Sequence, residues 1–153
     1  MKKAVFPGSF DPITRGHESL VRRAANLFDE IVIAVGINAT KNSFFSLEKR
    51  LQWIRETFAD LQKIRVTSYK GLTVDFCKSI DAQYIIRGIR NANDLAFESE
   101  IGQANKVLVP DIETVFLLTT SEYNFISSSI IRDVFRNGGN TRPFIPENIK
   151  LTI

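Results

Sequence analysis

The sequence predicts an α/β fold: a single-domain, Rossmann-like sheet of five parallel strands, doubly wound with helices on both faces. Two observations carry this. Short runs such as Ile31-Val32-Ile33-Ala34-Val35 are apolar without alternation, as strands covered on both faces must be, and they recur between segments whose apolar residues are spaced for one face of a helix. A strand, a helix and a second wholly apolar strand within about 35 residues is the pattern of parallel pairing, which needs a long crossover.

Lys3 to Phe6 reads as the first strand. Glu18 to Phe28 places Leu20, Val21, Ala24, Ala25, Leu27 and Phe28 on a helical face, and Ile31 to Val35 is the second strand. Ser46 can cap a helix carrying Leu47, Leu51, Ile54 and Phe58. Ile64 to Thr67 makes a short third strand, Val74 to Ile80 a short helix, and Tyr84 to Ile86 a fourth strand. Asn93 or Asp94 is expected to start a helix through Leu108. Thr114 to Leu118 is the fifth strand, and Ser127 or Ser128 caps a last helix that stops at Asn137-Gly138-Gly139. The tail beyond, with Pro143 and Pro146, is expected to pack back irregularly or as a short helix. No repeat, low-complexity tract or linker divides the chain, so one domain spanning 1–153 is expected.

Composition narrows the function classes. At 153 residues the chain can bury roughly 68–70% of its unfolded surface, enough for an ordinary core. No apolar run approaches the ~20 residues of a membrane span, so no membrane partner is expected. The start has two lysines, but its apolar run stops at Pro7-Gly8, too short for a signal-peptide core, and a cytoplasmic location is the expectation. Cys77 is alone, which excludes an internal disulfide and metal clusters of Cys and His, and its apolar neighbours read as core. The net charge of +3 comes from 20 basic and 17 acidic residues that are interspersed, so the basic stripe of a nucleic-acid binder is missing and no nucleic-acid partner is expected.

In sheets of this kind ligands lie outside the carboxyl ends of the strands, where strand order reverses. The segment after the first strand, Pro7-Gly8-Ser9-Phe10-Asp11-Pro12-Ile13-Thr14-Arg15-Gly16-His17, breaks an apolar run into turn residues and delivers the only histidine to a helix start. Free backbone N–H groups and the helix dipole make such a junction an anion site. His17 can donate to a phosphate oxygen there, Gly16 permits close approach, and Ser9 adds a hydroxyl.

Arg87-Gly88-Ile89-Arg90 supplies two guanidinium forks suited to phosphate oxygens, with Gly88 leaving room between them. The competing reading pairs these arginines with Asp94, Glu98 or Glu100. In Phe125-Ile126-Ser127-Ser128-Ser129 three hydroxyls open a helix, more than a cap requires, and a polyphosphate could be held there without formal charge. Lys41 lies in a loop that could swing over a ligand; Phe44 and Phe45 beside it suit either a mobile flap or a packed loop. No Walker loop, Gly-x-Gly-x-x-Gly, Gly-x-Ser-x-Gly or paired-histidine motif occurs. Phosphate binders without an evident nucleophile suit direct phosphoryl or nucleotidyl transfer, where positioning and charge stabilisation supply most of the acceleration.

Together, Pro7 to His17 with its Thr14-x-Gly16-His17, Arg87-Gly88-Ile89-Arg90 and Ile126-Ser127-Ser128-Ser129 resemble the motifs of the bacterial phosphopantetheine adenylyltransferases, nucleotidyltransferases with a (His/Thr)-x-Gly-His signature. The match runs nearly the whole chain, to Pro146-Glu147-Asn148; Ser9 stands where threonine is common, with the hydroxyl kept. The resemblance implies transfer of the adenylyl group of ATP to 4'-phosphopantetheine, giving dephospho-coenzyme A and pyrophosphate. It also implies Mg2+, a homohexamer and feedback inhibition by coenzyme A. Carried onto this chain, Ser9, Lys41, Thr73 and Arg87 hold phosphopantetheine. Ser9, Phe10, His17, Gly88, Ile89, Arg90, Glu98, Tyr123, Asn124, Phe125, Ile126, Ser127, Ser128 and Ser129 hold ATP. His17, Lys41 and Arg90 are the catalytic residues, with His17 stabilising the transition state, and no protein metal ligand is assigned.

Two rivals share the superfamily. Thr14 argues against those pyridine-mononucleotide adenylyltransferases with two histidines in this motif, and Arg87-Gly88-Ile89-Arg90 lacks the Arg-Thr-Glu expected of cytidylyltransferases. A binding module without turnover would have no need of His17.

Overall fold

The computed structural model describes residues 1–153. Five parallel strands, β1 (Lys3–Gly8), β2 (Glu30–Ile37), β3 (Ile64–Lys70), β4 (Tyr84–Ile89) and β5 (Glu113–Leu118), form one sheet in the order β3-β2-β1-β4-β5. The crossovers are α1 (Arg15–Ala24), α2 (Leu47–Thr57), α3 (Thr73–Ser79) and α4 (Ala92–Leu108), and α5 (Ser128–Arg136) follows the last strand. Every predicted element forms, in the predicted order.

Alternate residues of the strands split the core in two. Ala4, Phe6, Ile31, Ile33 and Ile86 join Leu20 and Val21 of α1, Trp53 and Ile54 of α2 and Ile131 of α5 in the larger apolar cluster. Val5, Val32, Ala34 and Ile85 face the other way, onto Val74 and Cys77 of α3. Helix α4 lies on that second face, with Gly102 packed against Thr114 and Phe116. The chain therefore winds outward from β1 on one face and from β4 on the other, and strand order reverses between these two neighbours. That is where a crevice opens in a doubly wound sheet.

Backbone pairing makes the crevice here. The β1–β4 ladder consists of Ala4–Tyr84 and Val5–Ile85 and then stops, although β1 continues to Gly8 and β4 to Ile89. Proline is ordinarily barred from a central strand because it cannot donate. Pro7 is accommodated where that ladder has already ended, and its carbonyl accepts from Arg87 Nη1 at 2.8 Å instead.

The boundaries differ from the sequence expectations in a consistent way. β1 to β4 all run two to three residues further at their carboxyl ends, because ladder bonds such as Gly8–Val35, Ile37–Lys70 and Ile89–Leu118 do not depend on side-chain polarity. Arg87, Gly88 and Ile89 are consequently strand residues, not a loop. Helix α1 starts at Arg15 and ends at Ala24, earlier than the Glu18–Phe28 expected, since Thr14 is its cap. Helix α4 starts at Ala92 with Asn91 as cap, not at Asn93 or Asp94, the Asn91 side chain accepting from Asp94 N at 2.9 Å. The tail packs back irregularly: Ile145, Ile149 and Leu151 are buried in the larger cluster, and Arg15 donates to the carbonyls of Ile145 and Arg142.

Candidate active site

The turn between β1 and α1 is held open by its surroundings. Arg87 binds the Pro7 carbonyl, Arg50 Nη1 that of Ser9, Arg132 Nη1 that of Asp11 and Ser128 Oγ that of Pro12, each at 2.8 Å. With these acceptors occupied, the N–H groups of Ser9 and Phe10 have no acceptor within the chain. Phe10 adopts φ 45°, rare for a bulky residue, and its ring is buried. A Cβ on Gly8 would come within 3.0 Å of that ring, tighter than ordinary contact, so a side chain there would have to push the ring aside.

Thr14 and His17 cap α1 reciprocally. The Thr14 hydroxyl accepts from His17 N, and His17 Nδ1 accepts from Thr14 N, both at 3.1 Å. This is a capping box with imidazole in place of the usual carboxylate at the third helical position. Because Nδ1 is an acceptor, the proton resides on Nε2, which is free to donate. The ring packs edge-on against Phe10 and Phe6, with centroids 5.0 and 6.1 Å away. Burial, reinforced by the positive charges of Arg87 and Arg90, lowers its pKa from 6.5 to about 4, so it is a neutral donor at physiological pH.

Both arginines are paired with acids, as the competing sequence reading had it. Arg87 Nε and Nη2 donate to Glu98 Oε2 and Oε1 at 2.7 and 2.5 Å. Arg90 Nε and Nη2 donate to Asp94 at 3.0 and 3.3 Å, and this bond, more than the charge alone, lowers the Asp94 carboxyl. Gly88 has a packing reason: a Cβ there would stand 2.6 Å from Leu20 Cδ1 of α1.

The three serine hydroxyls are likewise engaged within the chain. Ser127 Oγ accepts from Ile130 N as the cap of α5, Ser128 donates to Pro12, and Ser129 accepts from Arg132 Nη2 at 3.0 Å. What remains free are the N–H groups of Ser128 and Ser129 in the first turn, which have no acceptor in the chain.

Two cavities meet at the crevice. The larger, about 760 Å³, runs between the ends of β2 and β3 and helix α4, and is lined by Thr73, Tyr69, Lys70, Ile101 and Asn105 among others. The smaller, about 360 Å³, is lined by Phe10, His17, Gly88, Arg90, Tyr123, Ile126 and Ser127 to Ser129. Pro7, Gly8, Ser9, Lys41, Arg87 and Glu98 line both and form the wall between them. Of the residues singled out in the sequence, Ile89, Asn124 and Phe125 line neither; Ile89 is buried, and Asn124 and Phe125 are exposed outside the cavities. Phe44 and Phe45 are packed, edge-on to each other and to Phe135, with Phe45 also against Trp53.

Asp11, Arg50 and Arg132 escaped the sequence reading. The trace of Arg50 is its place in an apolar stripe, three residues after Leu47 and four before Ile54, where a solvated arginine does not belong. For Asp11, and for the bond from Arg132 to its carbonyl, no local signal exists, because the partners lie 33 or more residues apart in sequence.

The chain matches a family model described as Cytidylyltransferase-like over residues 5–134. It is 52% identical over 151 residues to the phosphopantetheine adenylyltransferase of Flavobacterium psychrophilum, covering 99% of each chain. Identity to the enzyme of that name from Christiangramia forsetii is 51% over 150 residues, 98% of this chain and 99% of that one. Among solved structures, a bifunctional NMN adenylyltransferase/ADP ribose pyrophosphatase from Francisella tularensis superposes with a TM-score of 0.76 over 97% of this chain and 46% of its own; at 20% identity the likeness is one of fold.

Proposed function

Because the chain belongs to the phosphopantetheine adenylyltransferases and is a nucleotidyltransferase of coenzyme A biosynthesis, we propose that its reaction is a direct in-line transfer at the wall its two cavities share. The observation that carries this is the wall itself: one serine, one lysine and one arginine border both cavities, where two phosphorylated substrates would meet. The phosphate of 4'-phosphopantetheine, already anionic, attacks the α-phosphorus of ATP. Its oxygen forms the new P–O bond, the bond from the α-phosphorus to the bridging oxygen breaks, and pyrophosphate leaves. No general base and no covalent enzyme intermediate is needed.

In this reading Ser9, Lys41, Thr73 and Arg87 hold phosphopantetheine in the larger cavity, and ATP occupies the smaller. The neutral His17 donates from Nε2 to an α-phosphate oxygen as charge builds, with Lys41 beside it. Arg90 and the free N–H groups of Ser128 and Ser129 receive the departing pyrophosphate. Ile89, outside the cavities, would contribute through its backbone, while Asn124 and Phe125 would reach ATP from the cavity rim. Glu98 serves the site through Arg87, whose guanidinium occupies both of its oxygens.

Mg2+ is expected to arrive with the triphosphate. No three acidic, histidine or cysteine side chains converge on a metal cage, and Glu98 and Asp94 are already paired, so phosphate oxygens would supply its ligands. Coenzyme A contains both the pantetheine arm and the adenine nucleotide, which supports feedback inhibition by occupancy of both cavities. Leu95, Phe97, Ile101, Val107 and Leu108 leave apolar surface exposed along α4, which supports association with further copies of the chain, the homohexamer being the form that the resemblance implies. No helix is long and apolar enough to cross a membrane, in keeping with work in the cytoplasm.

The test is pyrophosphate release from ATP and Mg2+ with 4'-phosphopantetheine, beside nicotinamide mononucleotide, with His17→Ala as control. Release with phosphopantetheine alone, lost in the variant, is the expected result. Release with the mononucleotide would move the substrate, and release with neither would leave a binding module.

A further inference from the structure

We propose that Asp11 and Arg50 form a buried staple that positions Lys41 on the wall between the two cavities, making both of them positioning residues for adenylyl transfer. This rests on the reading of Lys41 as a phosphate-binding cation. Asp11 and Arg50 are 7% and 5% exposed, although each is a charged group. The Asp11 carboxylate accepts from the N–H groups of Phe44 and Phe45, both at 2.8 Å. Arg50 donates from Nε to the Phe45 carbonyl at 3.1 Å and from Nη1 to the Ser9 carbonyl at 2.8 Å. Residues 44 and 45 are thus bound by both main-chain edges to the turn that carries Ser9.

The loop is fixed at its other end as well. Lys41 N donates to the Asn38 carbonyl at 3.2 Å, and Thr40 donates twice to the Asn38 side chain, at 3.0 and 2.8 Å. Only Asn42 and Ser43 separate Lys41 from the stapled Phe44. Lys41 and Ser9, on different loops, are thereby tied into one unit, and both line the two cavities. Burying two charges costs desolvation that well-packed apolar residues at the same positions would not incur, so stability alone is a poor reason for them. Fixing a cation where phosphate charge develops is a sufficient one, because a small misplacement there can cost on the order of a hundredfold in rate.

The test uses the full chain with Asp11→Asn and Arg50→Lys, each alone and combined with Lys41→Ala, reading pyrophosphate release and the rate of tryptic cleavage after Lys41. Asp11→Asn is expected to lower kcat by about ten- to a hundredfold while the KM for ATP stays within about threefold, and to speed cleavage after Lys41 as the loop is released. In the Lys41→Ala background the same substitution should cost little more. Arg50→Lys keeps the charge but not both bonds, and should show the same pattern more weakly; it replaces Asp11→Asn if that chain does not fold. Losses that multiply with Lys41→Ala, or turnover and cleavage both equal to wild type, overturn the proposal. If Lys41→Ala alone leaves turnover intact, the role assigned to Lys41 in transfer fails, and the staple stands or falls on cleavage: faster supports it, unchanged rejects it.

Discussion

Arg87 and Glu98 face each other through two parallel hydrogen bonds, Nε to Oε2 at 2.7 Å and Nη2 to Oε1 at 2.5 Å, in the wall that both cavities share. The pair joins β4 to α4, and a third donor of the same guanidinium holds Pro7. Its orientation is therefore set before any substrate arrives, which spares the ordering cost of a free arginine.

Loss of Glu98 should be felt through Arg87. Glu98→Ala is expected to destabilise the fold by about 1–3 kcal/mol, since it strands a part-buried cation. Both Glu98→Ala and Arg87→Ala should raise the KM for phosphopantetheine much more than that for ATP, and the double variant should be no worse than the poorer single one. Steady-state kinetics with each substrate varied decide this; an effect of Glu98→Ala confined to ATP would place its carboxylate on the nucleotide.

His17→Ala should lower kcat by about a hundredfold or more, as expected for one preorganised donor. Thr14→Ala loses the reciprocal cap, costing about 1 kcal/mol of stability, and frees the imidazole to turn, so its kcat should fall as well, though less. Near-normal turnover in His17→Ala would remove the residue from the chemistry.

The His17 shift also makes stability depend on pH. Burial first, then Arg87 and Arg90, hold its pKa at about 4 in the folded chain against 6.5 when exposed. Between those values the unfolded chain binds the extra proton, so stability rises with pH across the window, by up to about 1.4 kcal/mol per unit, and the contribution is complete above 6.5. Urea unfolding of wild type and His17→Gln at pH 4.5, 5.5 and 7 isolates the group from the carboxylates. A difference between them that does not change with pH would show that the imidazole titrates normally.

Gly88→Ala drives a methyl into Leu20, which is buried in the core three residues after His17. Overpacking of this kind costs about 1–3 kcal/mol, and displacement of α1 should lower turnover too. Thermal unfolding and kcat should both recover in Gly88→Ala with Leu20→Val. Failure of that second change to restore either would mean that the glycine is needed for the ligand and not for the helix.

Much of this was written locally. Unbroken apolar runs such as Ile31–Val35 announced a sheet covered on both faces, and Thr14-x-Gly-His announced a helix start with an imidazole in its first turn, because periodicity and capping act over a few residues. The same locality explains the errors at strand ends: Arg87 and Gly88 look like loop residues until the ladder to β5 shows them paired with Phe116 and Leu117.

Pairings across long sequence separations were beyond such reading. Sequence alone determined the order of elements, the strand–turn–helix junction after β1 and the three motifs that carry the family. Only the tertiary structure decided that Arg87 is held by Glu98, that all three serine hydroxyls are spent within the chain while backbone N–H groups stay free, and that Asp11 and Arg50 anchor the loop bearing Lys41. The physical reason is that a buried charge or hydroxyl takes whichever partner the packed fold brings within reach, and that partner leaves no mark on the residues beside it in the chain.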